Sequence, residues 1–89
     1  MEKLEDVRRK IDDVDAELTR LLVKRFTLTD EVGRIKREEN VGVVQSGREN
    51  DILDRIGESV SDEYAYSIKE IYRKIFEQSK ERQSKLINE

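Results

Sequence analysis

The chain has 89 residues, of which 35% are hydrophobic and 44% are charged. A domain this small buries a modest fraction of its surface, so a thin core commonly needs oligomerisation, a metal or disulfides for stability. Cysteine and histidine are both absent, which excludes disulfides and thiolate metal sites and removes the usual general base. We therefore expect no metal site, and a second protein chain becomes the expected source of stability.

The charge and hydropathy of the chain limit its partners. A net charge of −3 argues against nucleic acid, whose protein footprints are usually basic, although a local cationic pocket remains possible. No apolar run approaches the ~20 residues that a membrane span needs. Residues 1–6 lack the apolar core of a signal peptide. We expect a soluble, cytoplasmic protein with no membrane or nucleic-acid partner.

Apolar residues recur at spacings of three, four and seven through the first forty residues, which indicates an amphipathic helix. We predict this first helix over residues 2–39, about 55 Å long, with Gly33 interrupting the pattern at a cost of about 1 kcal/mol. Its apolar stripe consists of Leu4, Val7, Ile11, Val14, Leu18, Leu21, Leu22, Leu28, Val32 and Ile35.

The remaining glycines fall between residues 42 and 57 and mark the breaks. They predict a loop over 40–47 and a short second helix from Gly47 or Arg48 to about Gly57. A connection with Ser61 as N-cap then leads to a third helix over 62–87. The predicted fold is all-α, with one very long, one short and one long helix in a single domain over 1–89.

The two later helices must also cover each other, so part of the first helix's stripe is left over. A second copy of the chain would cover that remainder, and closed two-fold symmetry is the commonest such arrangement. We therefore expect an intertwined homodimeric helical bundle.

Three cations of the first helix are candidates for a binding site. Arg25 and Lys36 lie within about 20° of each other around the helix and about 16 Å apart along it, so both can reach one small ligand. Arg8 lies about 25 Å from Arg25 along the axis, so it cannot easily join its own Arg25 at one small site, whereas in an antiparallel dimer it could join the partner's. The chain has eighteen Lys and Arg, however, and spacing alone favours a solvated surface for all three.

The later helices add four polar candidates. Ser79 and Gln83 continue the apolar row of the third helix and would need hydrogen-bond partners if buried. The pattern alone favours the simpler explanation, in which the apolar stripe ends there. Glu49 follows Ser46 in the spacing of a capping box, which favours a capping role. Arg48 lies near a helix N-terminus, where a positive charge interacts unfavourably with the helix dipole. This small cost in stability hints that Arg48 has another role.

Together these residues resemble the all-helical (AroQ-class) chorismate mutases over nearly the whole chain. No single motif is specific, but the ordered set across three helices is. The family forms dimers whose two sites each take an arginine from the other chain, which matches the position of Arg8. The resemblance runs through Val7–Asp12, Asp15, Leu18, Leu21–Leu22, Lys24–Arg25, Glu31–Lys36, Arg48–Glu49, Ser79 and Gln83.

The resemblance implies that chorismate is the substrate and that it is rearranged to prephenate, on the shikimate route to phenylalanine and tyrosine. This intramolecular Claisen rearrangement needs no nucleophile, proton transfer, metal or cofactor. It requires a compact, reactive conformer of a flexible dianion and stabilisation of the charge that grows on the ether oxygen.

The resemblance also implies the main roles in the site. Arg25 and Arg8 of the partner subunit would each bind one substrate carboxylate, because a guanidinium can donate two parallel hydrogen bonds. Lys36 and Gln83 would be the catalytic residues at the ether oxygen, with Lys36 facing a carboxylate as well.

The remaining implied contacts come from the second helix, the third helix and the loop. Glu49 would accept a hydrogen bond from the substrate hydroxyl, Ser79 would assist a carboxylate, and Arg48 would support the site. Many family members have a proline and then an aspartate before the Arg-Glu pair, where this chain has Gly42 and Gln45. Gln45 is therefore expected to contribute a backbone contact, in a loop that costs more entropy to order.

Two alternatives remain open. Isochorismate pyruvate lyase shares the fold, much of the cationic pocket and a pericyclic reaction, although Arg48 and Glu49 lean toward the mutase. A non-catalytic helical dimerisation or regulatory module also fits the composition, but it gives no reason for Arg25, Lys36 and Gln83 to converge.

Overall fold

The structure is a computed structural model that describes residues 2–40, residue 42 and residues 46–88, apart from the side chain of Ser46. Within these ranges it consists of helices α1 (Leu4–Glu39), α2 (Ser46–Ser59) and α3 (Asp62–Ile87). The predicted all-α class is confirmed, and the helix ends differ from prediction by at most two residues. No described helix is long and apolar enough to cross a membrane.

Local hydrogen bonding explains where the helices begin and end. α1 begins after Lys3, whose backbone is extended and whose N–H donates to Asp6 Oδ2 at 3.2 Å. It ends at Glu39 and is followed by Asn40, which adopts the left-handed conformation (φ 58°) that favours Asn or Gly after a helix. Ser61 occupies the predicted N-cap of α3 through its extended backbone, although its side chain makes no capping hydrogen bond.

α3 lies along the C-terminal half of α1 and runs in the same direction. Near the start of the contact, Arg25 Nη1 donates to Ser79 Oγ at 3.4 Å. Near its end, Arg37 Nη1 donates to the Leu86 carbonyl at 3.0 Å. The N-terminal half of α1 extends beyond this contact, which gives the chain its longest dimension of 57 Å.

α2 packs against α3 and runs in the opposite direction. Glu49, in the first turn of α2, pairs with Lys80, whereas Gly57, near the end of α2, lies against Lys69. Within the described ranges the backbones of α1 and α2 do not come into contact. α3 therefore holds the other two helices on either side of a gap.

The apolar stripe of α1 is largely uncovered in the single chain. Nine of its ten residues are more than a third exposed, from 39% for Val7 to 64% for Leu4, and Leu22 is half-buried. In the described part of the chain, Leu53 and Phe76 are the only hydrophobic side chains that are buried. The leftover apolar surface predicted from the sequence is confirmed.

Gly33 lies at a close approach between α1 and α3. A Cβ at this buried position would lie 3.0 Å from Gln83 Cγ and 3.3 Å from Gln83 Cα. The missing side chain lets the α3 backbone rest against α1 and brings the Gln83 amide to Thr29, whose carbonyl accepts a 2.8 Å hydrogen bond from Nε2. The interruption in the helical pattern therefore serves helix packing.

An ion pair joins the same two helices on the outer side. Arg82 donates from Nε and Nη2 to the two carboxylate oxygens of Asp30, at 3.0 and 2.6 Å. This hydrogen bonding holds the pKa of Asp30 below its ordinary value. The Arg82 guanidinium also lies 5.5 Å from the centre of the Phe26 ring, a favourable cation–π distance.

The close approach at Gly33 can be tested by adding one methyl group. Gly33→Ala should lower the free energy of unfolding by about 1 kcal/mol, because overpacking outweighs the gain in helix propensity. Gly47→Ala is the matched control, since a Cβ there meets nothing within 4 Å. The control should be neutral or more stable than wild type. Urea unfolding followed by circular dichroism measures both, and equal stabilities would contradict the close packing.

The Asp30–Arg82 pair should make stability depend on pH. Because the folded pKa of Asp30 is lowered, the pair's contribution is fully present above the unfolded value of about 4 and is lost as pH falls through the folded value. Asp30→Asn should therefore be less stable than wild type near pH 7, and the difference should shrink as pH falls below the unfolded value and through the lowered folded pKa of Asp30. Urea midpoints at several pH values measure this, with exposed Asp54→Asn as control. A difference that is independent of pH would show that the pair does not stabilise the fold.

Candidate functional site

A pocket of about 200 Å³ lies in the gap between α1 and α2, with α3 as its floor. Eleven described residues line it, and five of them were not among the predicted site residues: Thr29, Val32, Ile52, Phe76 and Lys80. Candidates that lie far apart in the sequence therefore meet in one place. The six predicted site residues that line it are Arg25, Lys36, Arg48, Glu49, Ser79 and Gln83.

Arg25 is held by contacts with three side chains of α3. Its guanidinium carbon lies 5.6 Å from the centre of the Phe76 ring and 5.8 Å from that of Tyr72, and Nη1 donates to Ser79 Oγ. The two rings pack edge to face at 5.9 Å. Such cation–π contacts orient a guanidinium without neutralising its charge. Arg25 is therefore preoriented toward the pocket with its charge available.

Three polar side chains of the pocket are buried, which is unusual in so small a chain. Lys36 is 7% exposed, and Ser79 and Gln83 are each 6% exposed. The simpler interpretation of Ser79 and Gln83, in which the apolar stripe of α3 ends there, is therefore wrong. No buried polar side-chain atom in the described residues lacks a hydrogen-bond partner, which is the condition under which such burial is tolerated.

The Gln83 amide is fixed by the backbone of α1. Nε2 donates to the Thr29 carbonyl at 2.8 Å, and this acceptor determines which terminal atom of the side chain is nitrogen. A primary amide carries two N–H donors, so one remains for a ligand in the pocket. The family resemblance pointed to Gln83, but nothing in the sequence identified the carbonyl that orients it.

Glu49 and Lys80 form an ion pair between α2 and α3. Lys80 Nζ lies 3.4 Å from Glu49 Oε1 and 3.2 Å from Oε2. Sequence reasoning did not identify Lys80, although it neighbours Ser79 and precedes Gln83 by one helical turn. The capping alternative for Glu49 involves the side chain of Ser46, which lies outside the described residues.

Two predicted site residues are not in the pocket as described. Arg8 is exposed on the N-terminal half of α1, and the described lining of the pocket begins at Arg25. Gln45 lies outside the described residues.

The pocket carries a strong positive charge. Four cations, Arg25, Lys36, Arg48 and Lys80, face one anion, Glu49, which leaves three formal positive charges in excess. Among the described residues no group of acidic side chains could hold a metal ion. The arrangement suits a small polyanion that offers several oxygen atoms to cations and to amide and hydroxyl donors.

Comparison with known proteins gives a consistent result. A family profile described as chorismate mutase type II matches residues 7–84. The chain is 36% identical over 56 residues to a chorismate mutase of Methanocaldococcus jannaschii, a stretch that covers 63% of this chain and 57% of that protein. It is 38% identical over 56 residues to a bifunctional chorismate mutase/prephenate dehydratase of Aquifex aeolicus, which covers 63% of this chain and 16% of that protein.

A third relative is the T-protein of Haemophilus influenzae. It is 39% identical over 49 residues, which cover 55% of this chain and 13% of that protein. The chain thus matches little more than half of the first relative and less than a fifth of the other two.

Proposed function

The chain belongs to the chorismate mutase type II family, and we propose that it converts chorismate to prephenate. The observation that carries the proposal is the pocket between α1 and α2, which four cations line together with the buried side chain of Gln83. Chorismate is a dicarboxylate whose ether C–O bond breaks as a C–C bond forms within the same molecule. No atom or proton is exchanged with the protein, so binding and electrostatics supply the catalysis.

Lys36 and Gln83 are the catalytic residues in this proposal. Negative charge grows on the ether oxygen as the C–O bond lengthens, and both side chains can donate N–H groups to it. Their burial strengthens this stabilisation, because little water competes with the two donors. The hydrogen bond from Gln83 to Thr29 supports the role, since a donor held in place needs no reorganisation during the reaction.

The other pocket residues bind and orient the substrate. Arg25 holds one carboxylate with assistance from Ser79, and Arg48 adds a second cation at the α2 side. Glu49 accepts a hydrogen bond from the ring hydroxyl, and Gln45 contributes a backbone contact from the loop. These contacts hold the enolpyruvyl side chain over the ring, the compact conformer that the reaction needs.

We further propose that the active form is a homodimer in which Arg8 binds the second carboxylate in the partner's site. Two observations support it: the exposed stripe of α1 and the exposed position of Arg8 on the N-terminal half of α1, far along the helix from the pocket. One copy would bury its stripe against the other, and the same packing would carry each Arg8 toward the partner's pocket. The proposed enzyme is a single domain that acts in the cytoplasm without metal or cofactor.

The activity is tested directly by mixing the purified protein with chorismate and following the loss of chorismate absorbance. Lys36→Ala should lower kcat/KM by about a hundredfold, the usual effect of removing one transition-state donor. Lys24→Ala is the control, because it removes an exposed lysine of the same helix outside the pocket. Wild-type protein that turns over neither chorismate nor isochorismate would reject an enzymatic function, and turnover of isochorismate alone would indicate the lyase.

The shared site is tested by mixing two inactive variants. Arg8→Ala and Arg25→Ala, unfolded and refolded together, form heterodimers with one intact site and one doubly damaged site. The mixture should regain about a quarter of wild-type activity, because half of the dimers are mixed and half of their sites are intact.

A matched mixture provides the control for this experiment. Arg25→Ala refolded with Lys36→Ala should remain inactive, since both residues serve the site of their own chain. Activity should also fall when wild-type protein is diluted until the dimer dissociates. A fully active monomer would overturn the shared site, as would a first mixture that stays inactive.

A further inference from the structure

Lys80 is the cation of the pocket for which the proposed reaction has no role. It extends from α3 beside Ser79 and approaches both carboxylate oxygens of Glu49, at 3.2 and 3.4 Å. The two residues are 31 positions apart in sequence and belong to different helices. The contact therefore depends on the tertiary fold and joins the two helices at the pocket.

The pair has little value as a stabilising surface contact. The side chains are 40% exposed for Lys80 and 26% exposed for Glu49, and ion pairs this open contribute little to folding. Its location is more informative, because both residues line the pocket. An effect on the chemistry of the pocket explains the contact better than an effect on stability.

Glu49 is the only described anion among the residues that line the pocket, and it faces three further cations there. A carboxylate in these surroundings could turn toward Arg25 or Arg48 and neutralise a charge that the substrate needs. Lys80, on α3, pairs with Glu49 instead. Because Lys80 is the more exposed of the two, the ion pair lies at the rim of the pocket. A carboxylate has about four acceptor positions, so contact with one ammonium leaves room for a hydroxyl donor.

We propose that Lys80 is a positioning residue: it holds Glu49 in the orientation that accepts the substrate hydroxyl and keeps Glu49 from pairing with the substrate-binding arginines. This inference rests on the proposed function, because it assigns Glu49 to a hydroxyl of the substrate. It also makes the pair a determinant of specificity, since a substrate without a hydroxyl at that position gains nothing from the arrangement. Lys80 acts through Glu49 and does not contact the reacting atoms.

The test is a double-mutant cycle with Lys80→Met, Glu49→Gln and the double variant, each assayed for kcat and KM with chorismate. Lys80→Met should raise KM about fivefold and change kcat less than about twofold, because the hydroxyl does not take part in the bond changes. In the Glu49→Gln background, Lys80→Met should have less than about a twofold effect. Lys80→Arg, which restores a donor to Glu49, should return KM to within about twofold of wild type.

Lys74→Met is the matched control. It removes an ion pair of 3.2 Å, with Glu77, from the exposed side of α3 and should leave both kinetic constants unchanged. Lys80→Gln provides a second charge-removing variant in case methionine disturbs the fold, and circular dichroism confirms the folding of each protein.

The possible outcomes separate the claims. If Lys80→Met raises KM equally in the wild-type and Glu49→Gln proteins, Lys80 contacts the substrate itself. If it raises KM in neither, the ion pair is incidental. Each result overturns the positioning role. Wild-type protein without chorismate turnover would overturn the proposed function and this inference together. An active wild type with an unaffected Lys80→Met variant would overturn this inference alone.

Discussion

The close approach of α1 and α3 at Gly33 sets the geometry of the site. Because Gly33 has no side chain, the backbone around Gln83 rests against α1, and the Gln83 amide reaches the Thr29 carbonyl. The same approach places Ser79 beside Arg25 one helical turn earlier. A wider separation of these helices would move Gln83 away from Lys36 on the facing helix. The spacing of two helices thus determines whether two donors from different parts of the chain can face one atom.

The chain buries polar side chains and exposes apolar ones, which is the opposite of what is usual in a small domain. Lys36, Ser79 and Gln83 are buried, whereas Leu and Ile side chains of α1 are exposed. Burying a lysine is costly unless the site supplies compensating contacts. The burial of Lys36 therefore does not stabilise a chain with so small a core. Both features have one explanation if the proposed dimer forms: apolar burial then comes from the partner, and the interior of each chain is left for the site.

The sequence predicted the helices closely but could not predict how they are placed along one another. Apolar spacing identified α1 and α3, and the glycines located the breaks, because both signals act within one helix. Periodicity carries no information about the relative shift of two helices. The pairing of Lys80 with Glu49 depends on that shift, and so does the approach of Gly33 to Gln83; neither was predicted. Ser79 and Gln83 were ambiguous for the same reason, since a polar residue at the end of a stripe is buried only if the facing helix extends that far.

The arrangement of the three helices also gives a bound ligand a structural role. α2 packs on α3 alone, and within the described residues its backbone does not contact α1. Arg48 and Glu49 therefore face Arg25 and Lys36 across a gap that no helix contact closes. A dianion bound in this gap would bridge α1 and α2 through charge-assisted hydrogen bonds. Binding energy would then both orient the substrate and fix the wall of the pocket that carries Glu49, so the substrate would complete the site in which it reacts.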